Sequence, residues 1–263
     1  MTENPVEPRP EELLDNVIDL ARRAGEAIME IYRQLDPAVQ YKQDNSPVTA
    51  ADLAAHEIIE AGLRCLTPDW PVLSEESEQI NFDQRRFWRN FWLVDPLDGT
   101  KEFLSHSSEF TVNIALIGGG CPVMGVVHAP VIDRMYYSAR GMGAWKIDGE
   151  RLSQIRVGQS LRASLRIVTS RSHRSDEDKI ERFLNGSENC EFVSMGSSLK
   201  FCLVAEGAAD IYPRLGPTME WDTAAAHCIV EEAGGSVTDL EGNLLVYNKP
   251  VLRNPEFIAR GTR

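Results

Sequence analysis

Apolar side chains recur every three or four positions through residues 11–35: Leu13, Leu14, Val17, Ile18, Ala21, Ala24, Ala27, Ile28 and Ile31. That period places them on one face of a helix, and Pro37 marks its end. Residues 41–47 are polar and turn-rich and predict a loop. The helical period resumes from Thr49 to Leu66, with Ile58, Ile59 and Leu63 on the apolar face. Then the period shortens. Pro71-Val72-Leu73 predicts a short strand that delivers Ser74, Glu75 and Glu76 at its end, and residues 77–90 are polar and partly helical. Phe91-Trp92-Leu93-Val94 is an apolar run of strand length. Residues 110–117, 123–128 and 134–138 are rich in β-formers, and Gly118-Gly119-Gly120 turns the chain between the first two. Consecutive strands without helices between them predict an antiparallel sheet in the first half.

The pattern weakens between Asp148 and Ala163, which sets a boundary between residues 1–150 and 151–263. Beyond it, strands at 165–169, 190–193, 209–212, 236–238 and 257–259 are interleaved with helices at 176–184, 198–206 and 223–233. Strands alternating with helices predict an α/β second half, and the chain as a whole reads as a layered α/β (α+β) protein.

The chemistry gathers at Asp95-Pro96-Leu97-Asp98-Gly99-Thr100, directly after the apolar run at 91–94. Two carboxylates stand three residues apart on a turn that Pro96 pre-shapes. They repel each other unless something positive lies between them. Hard oxygen ligands suit Mg²⁺. The competing reading is an ordinary Asp-Pro and Asp-Gly surface turn. Three further acids occupy element ends: Asp52 at a helix start, Glu75 after a strand, and Asp222 before Thr223-Ala224-Ala225-Ala226. Ligand sites of layered folds collect at such places. Asp52 with Thr49 also reads as a capping box, and Asp222 as a helix cap. If the acids share a site, two or three Mg²⁺ ions would clamp a phosphate, and Thr100 with Asp52 would take a proton from water.

Composition narrows the field. The formal net charge is -13, which leaves no basic footprint for a nucleic-acid polymer or an acidic lipid surface. Cysteines at 65, 121, 190, 202 and 228 form no CxxC pair, as expected of reduced thiols in a cytosol. Residues 1–10 are acidic and proline-rich, unlike a secretory signal, and no apolar run reaches the roughly 20 residues of a membrane span. There is no Walker A motif, no GxGxxG after a strand, no Gly-x-Ser-x-Gly elbow and no HExxH.

Glu75-Glu76-Ser77, Asp95-Pro96-Leu97-Asp98-Gly99-Thr100 and Trp221-Asp222-Thr223-Ala224-Ala225, in this order and spacing, resemble the Mg²⁺-dependent, lithium-sensitive inositol monophosphatase superfamily. One segment alone carries little weight; the three in order are specific. The resemblance runs from the helix near residue 11 to Phe257. Ser170-Arg171-Ser172-His173, the stretch from Met195 to Gly207, and Tyr212-Pro213-Arg214 are similar to its bacterial bisphosphate-nucleotidase branch.

The resemblance implies an α/β/α/β/α sandwich of the inositol monophosphatase and fructose-1,6-bisphosphatase type. It implies removal of the 3'-phosphate from adenosine 3',5'-bisphosphate (PAP) to give AMP and phosphate, with the sulfated nucleotide PAPS as a further candidate, in sulfate assimilation. It implies a cytoplasmic enzyme, or one held peripherally at the inner membrane. By position, Glu75, Asp95, Asp98 and Asp222 match the metal ligands, with the Leu97 carbonyl as a fifth. Asp52 and Thr100 match the water-activating pair, and Leu97 to Thr100, through Gly99, the phosphate cradle. Gly196, Ser197, Lys200, His173 and Arg214 are the substrate-binding candidates beside them. A second phosphate needs cationic partners, but without the resemblance Lys200 and Arg214 would read as ordinary surface cations. Two alternatives stay open: an inositol or fructose phosphatase with the same metals and a different pocket, and a catalytically silent nucleotide- or metal-binding protein. The segment 196–200 discriminates the first, and the water-activating pair the second.

Overall fold

The structure is a computed structural model, and it describes residues 8–34, 39–41, 47–77, 80–158, 164–171, 180 and 189–261. The N-terminal half begins with α1 (Pro10–Tyr32), β1 (Val39–Tyr41), β2 (Pro47–Thr49) and α2 (Ala50–Leu66). It continues through β3 (Val72–Ser74), α3 (Phe82–Arg85), β4 (Asn90–Asp98) and α4 (Thr100–Leu104). A run of strands follows: β5 (Thr111–Gly118), β6 (Cys121–Ala129), β7 (Arg134–Ala139), β8 (Ala144–Asp148) and β9 (Arg151–Ile155). Then come β10 (Leu165–Ser170), β11 (Cys190–Met195), α5 (Leu199–Ala205), β12 (Ile211–Arg214), α6 (Glu220–Glu232), β13 (Ser236–Asp239) and β14 (Phe257–Arg260).

Strands β3 to β9 form a seven-stranded sheet in sequence order. Its pairs are antiparallel except β3 with β4, which run parallel. The expected antiparallel sheet is therefore present, with two strands more than the sequence reading placed in it. The boundary read at residue 150 falls in the turn between β8 and β9, and the sheet continues to Ile155. The second sheet has the order β11-β10-β12-β14-β13, parallel from β11 to β12 and antiparallel beyond. The helix expected at 176–184 lies outside the described residues except for Ile180.

Period-two alternation gives the first sheet two buried faces. Trp92, Val94, Ile114, Leu116, Met124 and Val126 pack against the apolar stripes of α1 and α2. Phe91, Leu93, Ala115, Ile117 and Val127 point the other way, into a core shared with Phe201, Ile229 and Phe257. Helix α6 lies there, touching both β5–β6 and β13–β14, so it is sandwiched between the sheets. A helix covered on all sides needs small residues and no polar face. It has Ala224, Ala225 and Ala226, each at most 1% exposed. A Cβ at Gly125 would stand 2.1 Å from the Ala225 carbonyl oxygen, so only glycine lets β6 and α6 approach this closely. Helices, sheet, helices, sheet: these are four of the expected five layers, with the second sheet's outer face buried around Ile167, Ile180, Ile211 and Ile258. Among the described residues no helix is long and apolar enough to cross a membrane.

Candidate active site

Strand β4 carries the central turn. Its pairing with β5 is regular to Asp95↔Asn113, shifts, and resumes at Asp98↔Thr111. Pro96 cannot donate to the ladder, which places the irregularity there. Asp95 is 1% exposed, and its Oδ1 accepts the Leu97 N–H at 3.1 Å. Gly99 sits at φ +95°, a conformation glycine takes without strain, and turns the chain into α4.

Two neighbouring elements aim acids at this turn. β3 runs beside β4, and the Glu75 N–H reaches the Val94 carbonyl at 3.1 Å. Asp222 stands in the first turn of α6, its Oδ2 accepting the Met219 N–H at 2.8 Å. Oxygens of Glu75, Asp95 and Asp222 lie within 4.8 Å of one another. Burial pushes the Asp95 carboxyl well above the usual range, and the charges of Glu75, Asp98, Asp222 and Asp52 push it further. Burial also raises Asp222, with Asp98 adding to the shift and the Met219 N–H opposing it. One buried and two half-buried acids this close repel one another when ionised, and a cation between them relieves the repulsion. The donor set is all oxygen and partly enclosed, so it fits a hard divalent cation. Asp98 stands outside the 4.8 Å group, and its Oδ2 accepts from Ser197 Oγ and the Ser198 N–H, each at 2.6 Å.

Asp52 both caps and faces the site. Its Oδ2 accepts the Thr49 N–H at 2.8 Å and the Thr49 hydroxyl at 2.7 Å, the capping box expected from the sequence. Its Oδ1 stands 3.5 Å from Thr100 Oγ1.

A cavity opens between this turn and the start of α5, lined by Glu75, Asp98, Thr100, Ser197, Lys200 and Arg214 among others. Lys200 is no solvated helix residue. It is 7% exposed, donates from Nζ to the Ser197 carbonyl at 2.6 Å, and lies 5.5 Å above the Tyr212 ring. Burial lowers its pKa to about 8, against the pull of Asp98. Arg214 donates to the Pro217 carbonyl at 3.1 Å. Gly196 gives its N–H to Glu109 at 2.8 Å, and Glu109 also pairs with Arg171 at 2.6 Å. A Cβ at Gly196 would stand 2.8 Å from the Glu109 carbonyl oxygen. His173 lies outside the described residues.

The sequence reading passed over Glu109, Thr111 and Asn113, and it quoted Ser198 and Tyr212 only within longer motifs, with no role of their own. One signal was available: Thr111 and Asn113 put two polar side chains on the strand face that continues with Ala115 and Ile117.

Residues 9–261 match the sequence profile of the inositol monophosphatase family. The chain is 52% identical over 248 residues to the 3'(2'),5'-bisphosphate nucleotidase CysQ of Salmonella typhimurium, covering 93% of this chain and 98% of that one. It is 48% identical over 239 residues to the nucleotidase of the same name from Buchnera aphidicola, covering 90% and 88%. Among solved structures it is similar to CysQ from Bacteroides thetaiotaomicron, described as a bacterial member of the inositol monophosphatase family. The TM-score is 0.83 and the identity 43%, with 95% and 97% of the two chains covered. The extragenic suppressor protein suhB of Bartonella henselae superposes with a TM-score of 0.79 at 30% identity, over 94% and 93%.

Proposed function

The chain belongs to the inositol monophosphatase family, and we propose that it is a Mg²⁺-dependent 3'(2'),5'-bisphosphate nucleotidase that converts PAP to AMP and phosphate. The observation that carries the chemistry is the convergence of Glu75, Asp95 and Asp222 within 4.8 Å, beside the Asp52–Thr100 pair. Those three carboxylates, Asp98 and the Leu97 carbonyl would hold two or three Mg²⁺ ions. Bound there, the cations supply positive charge against the phosphate and acidify the attacking water.

The chain's own groups do the rest. Thr49 holds Asp52 through two hydrogen bonds, so the other carboxylate oxygen keeps its place beside Thr100. Thr100 Oγ1 passes its proton toward Asp52 Oδ1 and is left able to accept one from water. Asp52 is thereby the general base, acting through the hydroxyl. The backbone from Leu97 to Thr100 bends tightly at Gly99 and offers N–H groups to the phosphate being cleaved. Lys200 and Arg214, which line the same cavity, are the cations we assign to the second phosphate that distinguishes PAP from a monoester. Ser197 lines the cavity too, and Gly196 beside it is held by Glu109.

Phosphate release from PAP, inositol 1-phosphate and fructose 1,6-bisphosphate, with Mg²⁺ and with excess chelator, tests the reading. Strong preference for PAP, loss of activity in chelator and inhibition by Li⁺ are expected. Full turnover in chelator would sink the metal requirement. Faster turnover of inositol 1-phosphate than PAP would replace the nucleotidase by a sugar phosphatase, and no release from any substrate would leave a binding protein.

A further inference from the structure

Asp98 is tied to the C-terminal half through one oxygen. Ser197 Oγ and the Ser198 N–H both donate to Oδ2 at 2.6 Å. Beneath that contact lies a group of polar atoms on the inner face of β5. Thr111 Oγ1 is 2.5 Å from Ser197 Oγ, 2.8 Å from Ser198 Oγ and 3.1 Å from the Asn113 amide. Ser198 Oγ is 2.8 Å from the same amide. Thr111, Asn113, Ser198 and Ser197 are 0, 1, 2 and 9% exposed, so the group must satisfy itself.

Its protons can be counted. A carboxylate only accepts, so Ser197 gives its single hydroxyl proton to Asp98. The 2.5 Å contact between Thr111 and Ser197 then needs the Thr111 proton. That proton is no longer available for Asn113. With Asn113 Oδ1 turned toward the hydroxyls, Thr111 Oγ1 would face it as acceptor to acceptor. Nδ2 would meanwhile be buried with no partner among the described residues. A half-turn of the amide about Cβ–Cγ leaves its shape unchanged and removes the acceptor-to-acceptor contact, and the position without a described partner then holds Oδ1, an orphaned acceptor being less costly than an orphaned N–H donor. Nδ2 then donates to Thr111 and to Ser198, Ser198 to Thr111, Thr111 to Ser197, and Ser197 to Asp98. Five protons fill five contacts.

We propose that Thr111 is a positioning residue for Asp98. Oriented by Asn113, it donates to Ser197, whose own proton fixes Asp98 Oδ2 and leaves Oδ1 for the cation. Partners of this kind, one shell behind the ligand, set both its orientation and the affinity of the metal. The same chain ties the turn that faces substrate, Gly196 to Ser198, to a carboxylate of the metal site. Ser197 is held at φ +53° in this arrangement, with Lys200 on its carbonyl. The role presupposes that Asp98 is a metal ligand.

The experiment is calorimetric titration of Mg²⁺ alone into the wild type, T111V, T111S, S197A, D98N and the T111V/S197A double variant, with circular dichroism as a check of folding. T111V keeps the shape and removes the hydroxyl, so the Mg²⁺ Kd should rise on the order of tenfold. T111S keeps the hydroxyl and should stay within about threefold of wild type by the same measure. The double variant should lose no more than S197A alone, because Thr111 acts through Ser197. Should T111V not fold, Asn113→Ala takes its place in the cycle with the same expected non-additivity. An unchanged Kd in folded T111V, equal losses in T111V and T111S, or additive losses in the double variant would each overturn the chain. If D98N binds Mg²⁺ as tightly as wild type, Asp98 is no ligand and the chain falls with it. If only D98N is impaired, the ligand stands and the chain alone fails.

Discussion

Asp52 holds a helix start and a proton-transfer position with the same carboxylate. Oδ2 is used by Thr49 and Oδ1 faces Thr100. Asp52→Asn keeps an acceptor for the Thr49 N–H, so the stability lost should be about 1 kcal/mol, the usual worth of a cap. Turnover should fall roughly 10²–10⁴-fold, the range for a lost general base, with Mg²⁺ affinity retained. Denaturant melts and kcat measured together decide it; a stability loss with kcat intact would reduce Asp52 to a cap. Lys200 offers a second test. Its pKa near 8 leaves it charged at pH 7 and increasingly neutral above pH 8. The kcat/KM advantage of PAP over a small phosphate ester should therefore shrink as pH rises through about 8. An advantage constant to pH 9 would remove Lys200 from the second-phosphate site. The acids were legible from the sequence because Glu75 and Asp95 come after apolar runs and Asp52 and Asp222 stand at helix starts. The burial of Lys200 was not, since a lysine in the first turn of a helix normally faces water, and the packing of Tyr212 and the Ser197 carbonyl makes this one an interior residue.

At the scale of elements, α6 is the member with least freedom. It lies against Gly125 with no room for a methyl group. Gly125→Ala must shift backbone rather than a flexible side-chain end, so it should destabilise by about 1–3 kcal/mol. Because the displaced helix carries Asp222, the Mg²⁺ concentration for half activity should rise as well. Thermal melts and a Mg²⁺ titration check both, and a variant as stable as wild type would show that the sheet and helix can part at no cost. Helices α1 and α2 were readable by their period of 3.6, and strands β4 to β7 because strands buried on both faces are continuous apolar or β-former runs. The hairpin β8–β9 was not, since its burial pattern is mixed and Arg151, Leu152 and Gln154 are exposed. A strand solvated on one side and at the sheet's edge has no apolar run to betray it. Helix α4 is five residues long, too short for the helical period to repeat. Thr111 and Asn113 looked like gaps in an apolar strand, because the serines they meet arrive from 85 or more positions away.

For the whole molecule, the raised carboxyls of Asp95 and Asp222 make stability depend on pH. Their folded-state pKa values lie above the unfolded value of about 3.9. The metal-free fold therefore holds extra protons, and this contribution is fully present below that unfolded value. It is lost as pH rises through the folded-state values. In chelator, the melting temperature should fall between pH 5 and pH 8 by this contribution, and added Mg²⁺ should raise it more at pH 8 than at pH 5. Calorimetric scans across that window check the sign; a Mg²⁺ effect larger at pH 5 would contradict it.

The sandwiched position of α6 has a mechanical side. Asp222 rides on a helix clasped by both sheets, whereas Glu75 and Asp95 are fixed to the first sheet alone. The spacing among their oxygens is thus a gauge of how the two sheets are seated. A cation held by all three would act as a rivet through the middle of the sandwich. Drawing the rivet should loosen the seam, so amide exchange in chelator should quicken first along β13 and β14, while β5 and β6, pinned by α1 on their far side, keep time as before.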